Sequence, residues 1–460
     1  MLFNSLQFLV FFMVVTLLYY RMPQQKQRVW LLLIASCYFY MSFVPKYLLI
    51  LAGTIVIDYV AGIVIGSSEG RKRKAWLTVS IIVNVGILVF FKYTNFFLDT
   101  VAPAIKPLFP HAHIPYLDIV LPIGLSFHTF QAMSYTIEVY RGKQPPERNF
   151  IVYALYVMFY PQLVAGPIER PQNILPQLHE RKEYKWDNVK EGLARMLWGF
   201  FKKVVIADRL SLVVDYAYGH TGLSPWAMWV GAMFYSFQIY CDFSGYSDIA
   251  LGAARVMGVK LMENFKQPYI SRSITEFWTR WHISLSSWFR DYVYIPLGGS
   301  RKSEIRRKIN VFIVFLLSGI WHGANFTFII WGMLHGLLVT LLPNRGSKKA
   351  RLWSAVLFGI INFLVVTLCW VFFRAQSVGV AISYLKGMFA IGKGVTFYGL
   401  NTMEMWLCVL LVGILMVREY KFRRHLIRSD AGFAAYCAVM VAACYFLGVF
   451  GENQFIYFQF

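Results

Sequence analysis

The segment YLLILAGTIVIDYVAGIVIG, residues Tyr47–Gly66, decides the class of fold. Its length matches the roughly 20 apolar residues with which an α-helix crosses the hydrocarbon core of a bilayer. Similar apolar runs on both sides of this segment predict neighbouring spans over Leu2–Tyr20, Val29–Val44 and Trp76–Phe91. Successive runs of this kind are typical of a polytopic helical membrane protein.

The composition of the whole chain agrees with this prediction. Of its 460 residues, 58% are hydrophobic and only 15% are charged, whereas a soluble protein carries about 25% charged residues. This balance excludes a soluble enzyme, a disordered chain and a fibrous protein. The six cysteines lie mostly inside apolar stretches without a CxxC pair, which indicates small buried side chains rather than a disulfide framework or a zinc site.

The excess of basic residues is explained by membrane topology. The chain has 45 Lys+Arg against 23 Asp+Glu and a formal net charge of +22, but its positive charges occur in short runs between apolar segments. This distribution favours cytoplasmic loops over a nucleic-acid-binding face. Placing Arg21–Arg28 and Gly70–Lys74 inside puts the N-terminus outside. The same side can hold the later basic runs Arg141–Arg148, Arg301–Lys308, Arg345–Arg351 and Arg418–Arg428.

Further apolar segments extend the pattern to the end of the chain. They cover Ile119–Tyr140, Phe150–Ala165, Trp226–Tyr240, Ile309–Ile320, Phe326–Leu342, Leu352–Phe373, Met405–Val417 and Phe433–Phe450. Several are too short to cross alone or contain polar residues, which at membrane depth must lie inside protein or beside a water-filled cavity. We therefore expect an all-α polytopic bundle of about ten to twelve spans with re-entrant and interfacial helices. It should form one domain over residues 1–460.

Trp186–Tyr218 differs from the apolar runs because basic and apolar residues alternate along it. Its basic residues are Lys190, Arg195, Lys202, Lys203 and Arg209. The pattern predicts an amphipathic helix at the level of the lipid headgroups. A surface helix with a solvated basic face remains the alternative.

Two carboxylates interrupt the apolar sequence within YCDFSGYSD, residues Tyr240–Asp248. A charged carboxylate at bilayer depth usually faces a partner or a wet cavity. Asp242 and Asp248 would not share one face of a helix, so they do not form a catalytic pair. A structural ion pair and the lining of a cavity remain equally open for them.

The stretch SITEFWTRWHISLSSWFRD, Ser273–Asp291, is dense in polar and aromatic residues. Ser273 and Glu276 have the spacing of a capping box, which predicts a helix start at Ser273. A continuous helix would form one polar stripe from Arg280, Ser284, Ser287 and Asp291. Trp278 and His282 would lie on the neighbouring aromatic face, where desolvation favours a neutral imidazole that can accept a proton. A packed structural histidine remains the alternative for His282.

A third polar element, LSGIWHGANF over Leu317–Phe326, lies between two apolar runs. Small residues flank His322 and would let a ligand or another chain approach closely. A neutral imidazole in an apolar cavity can take a proton from a hydroxyl that attacks an activated carbonyl. Asn325 could orient the ring, and a buried histidine that only binds a backbone carbonyl remains the alternative. His335 falls on the opposite face of a continuous helix, which predicts a structural role.

Other kinds of catalytic site are not supported by the sequence. It contains no Gly-rich phosphate loop, no GxSxG nucleophile elbow and no HExxH zinc motif. His111–His113 lies in a proline-bounded segment, which favours an outer loop over a metal site. We therefore expect no metal ion and no tightly bound cofactor.

Several further motifs occur in order along most of the chain. They are Leu121–Gly124, Val139–Gly142, Ala165–Ile168, Asp242–Asp248, Glu263–Tyr269, Glu276–Gly299, Trp321–Asn325, Trp331–Gly332 and Phe372–Ala375. A single tetrapeptide would be weak support, but the ordered set is specific. The chain resembles the membrane-bound O-acyltransferase family, in particular its bacterial branch of alginate O-acetyltransferases.

The resemblance implies a helical bundle around a central tunnel, with His322 at its bottom as the general base. It implies that His282 lies nearby and supports binding or the transition state. The implied donor is acetyl-CoA or another acyl thioester on the cytoplasmic side, with the acyl group delivered outward to a polysaccharide such as alginate. The implied location is the bacterial inner membrane. The expected partners are membrane lipid, a periplasmic SGNH-type acetyltransferase and the polysaccharide synthesis machinery, without nucleic acid.

The predicted catalytic residues are therefore His322 and His282. The predicted substrate-binding and tunnel-lining residues are Trp321, Asn325, Asp242, Tyr246, Arg280, Trp278 and Asp291. Two other functions remain open: D-alanyl transfer to teichoic acid from a carrier-protein thioester, and transport of protons or a substrate. Transporters often have repeated halves, and no repeat is detectable in this sequence.

Overall fold

The structure is a computed structural model. It describes residues 1–107, 117, 119, 121–164, 166–342, 352–397, 401–421, 429–450 and 455–456. Some of the sequence features fall outside these residues: His111–His113, Arg345–Arg351, Ala165 and the end of Arg418–Arg428.

The described residues fold into α-helices with short π- and 3₁₀-helical segments and contain no β-strand. This confirms the predicted all-α class. The chain divides into two units, one made of Met1–Met196 with Ile249–Met262 and the other of Leu197–Asp248 with Glu263–Phe460. The single domain predicted over residues 1–460 stays a prediction.

The helices of the first unit are α1 (Leu6–Arg21), α2 (Gln25–Met41), α3 (Tyr47–Ser67), α4 (Gly70–Ile105), α5 (Leu125–Tyr140), α6 (Phe150–Met158), α7 (Tyr160–Leu163), α8 (Pro171–His179) and most of α9 (Trp186–Phe200). Those of the second unit are α10 (Asp208–Gly219), the first part of α11 (Pro225–Val256), α12 (Ile274–Arg280), α13 (Ile283–Phe289), α14 (Glu304–His322), α15 (Phe326–Leu341), α16 (Leu352–Arg374), α17 (Val378–Met388), α18 (Thr402–Lys421) and α19 (Asp430–Leu447). Many helices begin at a side-chain oxygen that accepts an otherwise unpaired backbone N–H. These capping residues are Ser5, Asn149, Ser273, Ser303, Asn325, Ser377 and Ser429.

Four of the described helices are long and apolar enough to cross a membrane. They are Tyr47–Ser67, Gly70–Pro103, Trp353–Arg374 and Asp430–Leu447, and the shorter apolar helices are Leu6–Arg21, Phe326–Leu341 and Val378–Met388. Large apolar side chains such as Leu17, Ile360 and Phe446 are exposed on these helices, where lipid is a better neighbour than water. These are features of a membrane protein. The count of about ten to twelve spans and the tunnel stay predictions.

The single charge within α3, Asp58, has buried partners on α4. Ser80 Oγ donates to the Asp58 carboxylate at 2.6 Å, and Asn84 Nδ2 donates to it at 2.8 Å. All three side chains are buried. Because a carboxylate at membrane depth needs such partners, these two hydrogen bonds explain how an apolar span accommodates an aspartate.

The predicted continuous helix through Ser273–Asp291 is wrong, because the chain breaks at His282. That residue separates α12 from α13 and has a left-handed φ of 42°. The N–H of Ile283, which would continue the helix, instead donates to the carbonyl oxygen of Asn264 at 2.9 Å. The predicted polar stripe is therefore divided among α12, α13 and the π-helical turn Arg290–Tyr294.

The predicted start of this region is confirmed. Ser273 Oγ accepts the N–H of Glu276 at 3.1 Å and caps α12. The Glu276 carboxylate accepts the N–H of Arg272 at 2.9 Å. The reciprocal bond of the capping box thus reaches one residue further back than its usual partner, the backbone N–H of the capping residue.

The sequence predicts a helix over Trp186–Tyr218 whose basic face lies at the headgroups or in solvent, and this placement of the basic face is wrong. The segment is divided into α9, a π-helical turn over Phe201–Ala207, and α10. Lys202, Lys203 and Arg209 are buried rather than turned to solvent or headgroups. A buried lysine needs a nearby anion to offset its loss of hydration, and aspartates distant in sequence supply that charge.

Candidate functional site

His322 is the last residue of α14, at the tight connection to α15. Gly323 follows in an extended conformation, and Asn325 Oδ1 caps α15 by accepting the N–H of Thr327 at 3.0 Å. A Cβ atom at position 323 would collide with the ring of Phe328, so only glycine permits this close approach. The continuous helix assumed for His335 is therefore wrong, since α15 begins anew after this turn.

Aromatic side chains enclose the His322 ring. Trp331 and Phe373 pack edge-on against it, with ring centroids 5.0 and 5.3 Å away. The preceding residue, Trp321, has its ring centroid 5.0 Å from that of His322. Only 3% of His322 is exposed. Such surroundings exclude bulk water and strengthen electrostatic interactions at the imidazole.

The tautomer of His282 is fixed by Asn264. His282 Nδ1 lies 3.2 Å from Asn264 Oδ1, and the same oxygen accepts the backbone N–H of Ser284 at 3.2 Å. An atom that accepts a backbone N–H must be the amide oxygen, so His282 Nδ1 is the donor of its hydrogen bond. The ring lone pair is therefore on Nε2, the only atom through which this imidazole can accept a proton.

Burial decides the charge of His282, which lies between two short helices. It lowers the pKa of His282 to about 3, because an apolar environment disfavours the imidazolium cation. The side chain is fully buried, and the ring of Phe243 packs edge-on against it at 4.7 Å. His282 is therefore neutral at physiological pH, as the sequence predicted.

Trp321 packs near both predicted catalytic histidines. Its ring centroid is 5.0 Å from that of His322 and 6.3 Å from that of His282. These three predicted residues come from α14 and from the break between α12 and α13, so the fold brings together parts of the chain that are distant in sequence. The result is an aromatic wall in which one indole packs near both imidazoles.

Asp242 belongs to a buried ion cluster. Lys203 Nζ lies 2.6 Å from Asp242 and 2.8 Å from Asp208, and all three side chains are buried. The second carboxylate oxygen of Asp242 accepts the N–H of Ile456 at 2.8 Å. These contacts support the ion-pair alternative for Asp242, while its place in a tunnel lining stays a prediction.

Lys202 pairs with the other aspartate of α11. Its Nζ lies 2.6 Å from Asp248 and donates to Ser244 Oγ at 2.8 Å. Tyr246, which lies between Ser244 and Asp248 in the sequence, is fully buried. Its ring centroid is 4.4 Å from that of Phe455. Two consecutive lysines of one π-helical turn therefore neutralise two carboxylates of α11, and π-helical turns of this kind are frequent at functional sites.

Arg280 and Asp291 form local contacts. Arg280 pairs with Glu276 at 2.8 Å, and Asp291 pairs with Arg290 at 2.8 Å. The exposed fraction of the side chain is 28% for both Arg280 and Asp291. Their part in substrate binding stays a prediction.

Trp278 and Asn325 connect the site to its supporting helices. Trp278 Nε1 donates to His335 Nδ1 at 3.2 Å. Asn325 Nδ2 donates to the carbonyl oxygen of Gln376 at 2.9 Å. Both polar atoms of the Asn325 amide thus have backbone partners, which is a capping and tethering role.

Sequence reasoning gave no role to Asn264 or Trp331, although both lie within the quoted motifs. Their contacts with His282 and His322 depend on long-range packing, and the only local signal was the helical spacing of Trp331 and His335. Among the described residues, no group of three or more His, Cys, Asp or Glu side chains could hold a metal ion. The absence of a metal from the site stays a prediction.

Known proteins show clear similarity to this chain. Residues 144–342 match the model of the membrane-bound O-acyltransferase family. The probable alginate O-acetylase AlgI of Pseudomonas aeruginosa is 43% identical, over 85% of this chain and 75% of that protein. The peptidoglycan O-acetyltransferase of Helicobacter pylori is 38% identical, over 78% and 73%. The teichoic acid D-alanyltransferase of Bacillus subtilis is 29% identical, over 58% and 74%.

Proposed function

The chain belongs to the membrane-bound O-acyltransferase family, and we propose that it moves an acetyl group across the membrane for O-acetylation of an extracytoplasmic polysaccharide such as alginate. Its activity class is that of a membrane O-acyltransferase. The relatives named as O-acetylating enzymes are 43% and 38% identical, against 29% for the D-alanyltransferase. This difference favours acetyl over D-alanyl as the transferred group.

The observation that carries the proposal is the pair of buried imidazoles that both lie near Trp321. The ring centroids of His322 and His282 lie 5.0 and 6.3 Å from that indole. Two histidines in a water-poor aromatic enclosure suit acyl transfer to a hydroxyl, because a neutral imidazole can remove the proton as the oxygen attacks.

In the proposed reaction, the donor is acetyl-CoA or another acyl thioester. The acceptor oxygen attacks the thioester carbonyl carbon while His322 takes its proton. The carbon–sulfur bond then breaks, and the imidazolium returns the proton to the departing thiolate, so the products are an ester and a thiol. His282, neutral and with its lone pair on Nε2, accepts a hydrogen bond from a substrate donor group and holds it in place.

The direction of transfer in this proposal is from inside to outside. The basic loops face the cytoplasm under the positive-inside rule, which places the N-terminus outside a bacterial inner membrane. A central tunnel lets the donor and the acceptor reach His322 from opposite sides. A periplasmic SGNH-type acetyltransferase would receive the acetyl group, and the polysaccharide synthesis machinery would be a further partner.

Replacing Asn264 with aspartate is expected to add an acidic limb to the pH–rate profile. In the unmodified protein, burial holds the pKa of His282 at about 3, so protonation of His282 removes no activity between about pH 5 and 8. A carboxylate at position 264 raises this pKa by stabilising the cation. Activity should therefore fall as the pH drops through the raised pKa.

The measurement is the initial rate of acetyl incorporation by permeabilised cells across that pH range. Ser284→Ala is the matched control, because it removes one hydrogen bond to the Asn264 oxygen without adding charge. Its profile should keep the shape of the original. Superimposable profiles for Asn264→Asp and the unmodified protein would contradict the role given to His282.

The transferred group itself can be identified by labelling. Cells that produce the chain are expected to incorporate radiolabelled acetate into alkali-labile esters of the surface polysaccharide, and cells without it are not. Label from D-alanine in the envelope should be the same in both. Chain-dependent D-alanine label would instead support the teichoic acid alternative, and an unchanged acetyl content with altered substrate uptake would support a transporter.

A further inference from the structure

Two fully buried N–H groups on α15 have no acceptor among the described residues. An indole N–H can only donate, so Trp278 Nε1, 3.2 Å from His335 Nδ1, places the ring hydrogen of His335 on Nε2. Neither that Nε2 nor Trp331 Nε1 has a hydrogen-bond partner in the part of the chain that the structure describes. Both side chains are 0% exposed. Because buried donors are nearly always paired, two such groups indicate a bound group with acceptor atoms.

One of these donor residues, Trp331, packs against His322, and the other, His335, packs against Trp331. Trp331 and His335 are one turn apart on the same face of α15, and their ring centroids are 4.9 Å apart. The Trp331 ring also packs perpendicular to His322, with centroids 5.0 Å apart. One indole therefore contacts both the proposed general base and the second donor residue.

The walls around the two donors are aromatic. Trp370 stacks on Trp331 with centroids 5.7 Å apart, and Phe373 packs edge-on against it at 5.2 Å. The N–H of Trp370 is already used, because it donates to Tyr269 Oη at 3.2 Å. The enclosure thus holds two unsatisfied donors and a proton acceptor, which is the complement of a carbonyl group under attack by a hydroxyl.

We propose that Trp331 Nε1–H and His335 Nε2–H bind the carbonyl oxygen of the acyl thioester and stabilise the oxyanion formed during transfer. The inference rests on the proposed acyl transfer and adds two catalytic residues to it. Attack by the acceptor oxygen forms a carbon–oxygen bond, moves the carbonyl electron pair to the oxygen and gives the hydroxyl proton to His322. Collapse restores the carbonyl, breaks the carbon–sulfur bond and returns the proton to the thiolate.

Trp331→Phe and Trp370→Phe form a matched pair that tests the proposal. Both replace a buried indole of the same wall with a smaller ring, but only Trp331→Phe removes an unsatisfied donor. Loss of one oxyanion donor lowers kcat by about 100-fold. We therefore expect that loss for Trp331→Phe with KM for acetyl-CoA changed by less than about threefold. For Trp370→Phe we expect a kcat loss of no more than about tenfold, because this change loosens the packing of Trp331 without removing a donor.

The loss of thermal stability should be larger for Trp370→Phe than for Trp331→Phe, which is the reverse of the order expected for the loss of kcat. Trp370→Phe breaks the hydrogen bond to Tyr269, whereas Trp331→Phe breaks none among the described residues. The Tm of the detergent-solubilised full chain should therefore fall more for Trp370→Phe. Equal kcat losses in the two variants, or no loss in Trp331→Phe, overturn the assignment.

Rates are measured as transfer from radiolabelled acetyl-CoA to envelope polysaccharide in permeabilised cells. If the unmodified chain transfers no label, the proposed donor is wrong and the oxyanion assignment falls with it. If the unmodified chain is active and Trp331→Phe is equally active, only the oxyanion assignment is wrong. The two failures are thus distinguishable.

Two amides at position 335 separate catalysis from structural support. His335→Asn places an acceptor near the former Nδ1 and can keep the bond from Trp278, but its side chain is too short to donate from the Nε2 position. His335→Gln reaches that position with an N–H group. The proposal predicts that Gln retains about tenfold more kcat than Asn. A purely structural role predicts the reverse order, with Asn the more active variant, and that result overturns the role of His335.

Discussion

His322→Ala is expected to lower acetyl transfer to the surface polysaccharide by about 1,000-fold, which lies within the range for loss of a general base. The imidazole lies in an enclosure formed by Trp321, Trp331 and Phe373. None of these three side chains can accept the hydroxyl proton, because indole and phenyl rings have no basic nitrogen lone pair. The measurement is the alkali-labile acetyl content of the polysaccharide from cells with matched amounts of protein in the membrane.

The control for this substitution is His220→Ala. His220 is an exposed residue that stacks on Tyr216, with ring centroids 4.0 Å apart, and its loss should leave acetylation within about twofold of the original. His322→Gln adds a second comparison, since it fills more of the space of the ring than alanine does and still cannot act as a base at neutral pH. Full acetylation by His322→Ala at normal expression would remove the basis of the proposed mechanism.

The sequence was sufficient to predict the all-α class of the fold and an apolar environment for His322 and His282, while the catalytic roles of the two histidines stay predictions. Apolar runs of membrane-spanning length can be recognised from local composition alone. Two of the predicted runs correspond to the long apolar helices Tyr47–Ser67 and Trp353–Arg374. His322 stands out in the sequence because a polar residue between glycines in an apolar region has a free-energy cost at membrane depth, and such residues usually have a functional role. The cap at Ser273 was equally local, since Ser273 Oγ and the Glu276 N–H are neighbours on the first turn.

The remaining features depend on partners distant in sequence. The break at His282 follows from hydrogen bonds to Asn264, which compete with continuation of the helix. The sequence of Trp186–Tyr218 predicts a basic face at the headgroups, or in solvent as the alternative, because its periodicity contains no information on Asp242 and Asp248, which lie on another helix. Helical pitch predicts which side chains share a face, but only tertiary contacts decide what that face meets.

Lys203→Met is expected to destabilise the folded protein by about 3–5 kcal/mol, the cost of leaving buried charge without its partner. Lys203 Nζ lies within 2.8 Å of carboxylate oxygens of both Asp242 and Asp208, and only 1% of its side chain is exposed. Removing the ammonium group leaves two carboxylates close together in an apolar interior. The measurement is thermal unfolding of the detergent-solubilised chain, and a marked drop in Tm is the expected result.

Lys308→Met provides the comparison for an exposed ion pair. Lys308 Nζ lies 3.2 Å from Glu304, with 42% and 70% of the two side chains exposed, so its loss should cost no more than about 0.5 kcal/mol. Neutralising the carboxylates in the triple variant Lys203→Met, Asp208→Asn, Asp242→Asn should restore part of the lost Tm, because the repulsion between them disappears. If Lys203 instead lined a substrate path, Lys203→Met would keep the original Tm and lose only acetyl transfer. Stability and activity measured on the same preparation therefore separate the ion-pair role of Asp242 from the tunnel-lining role.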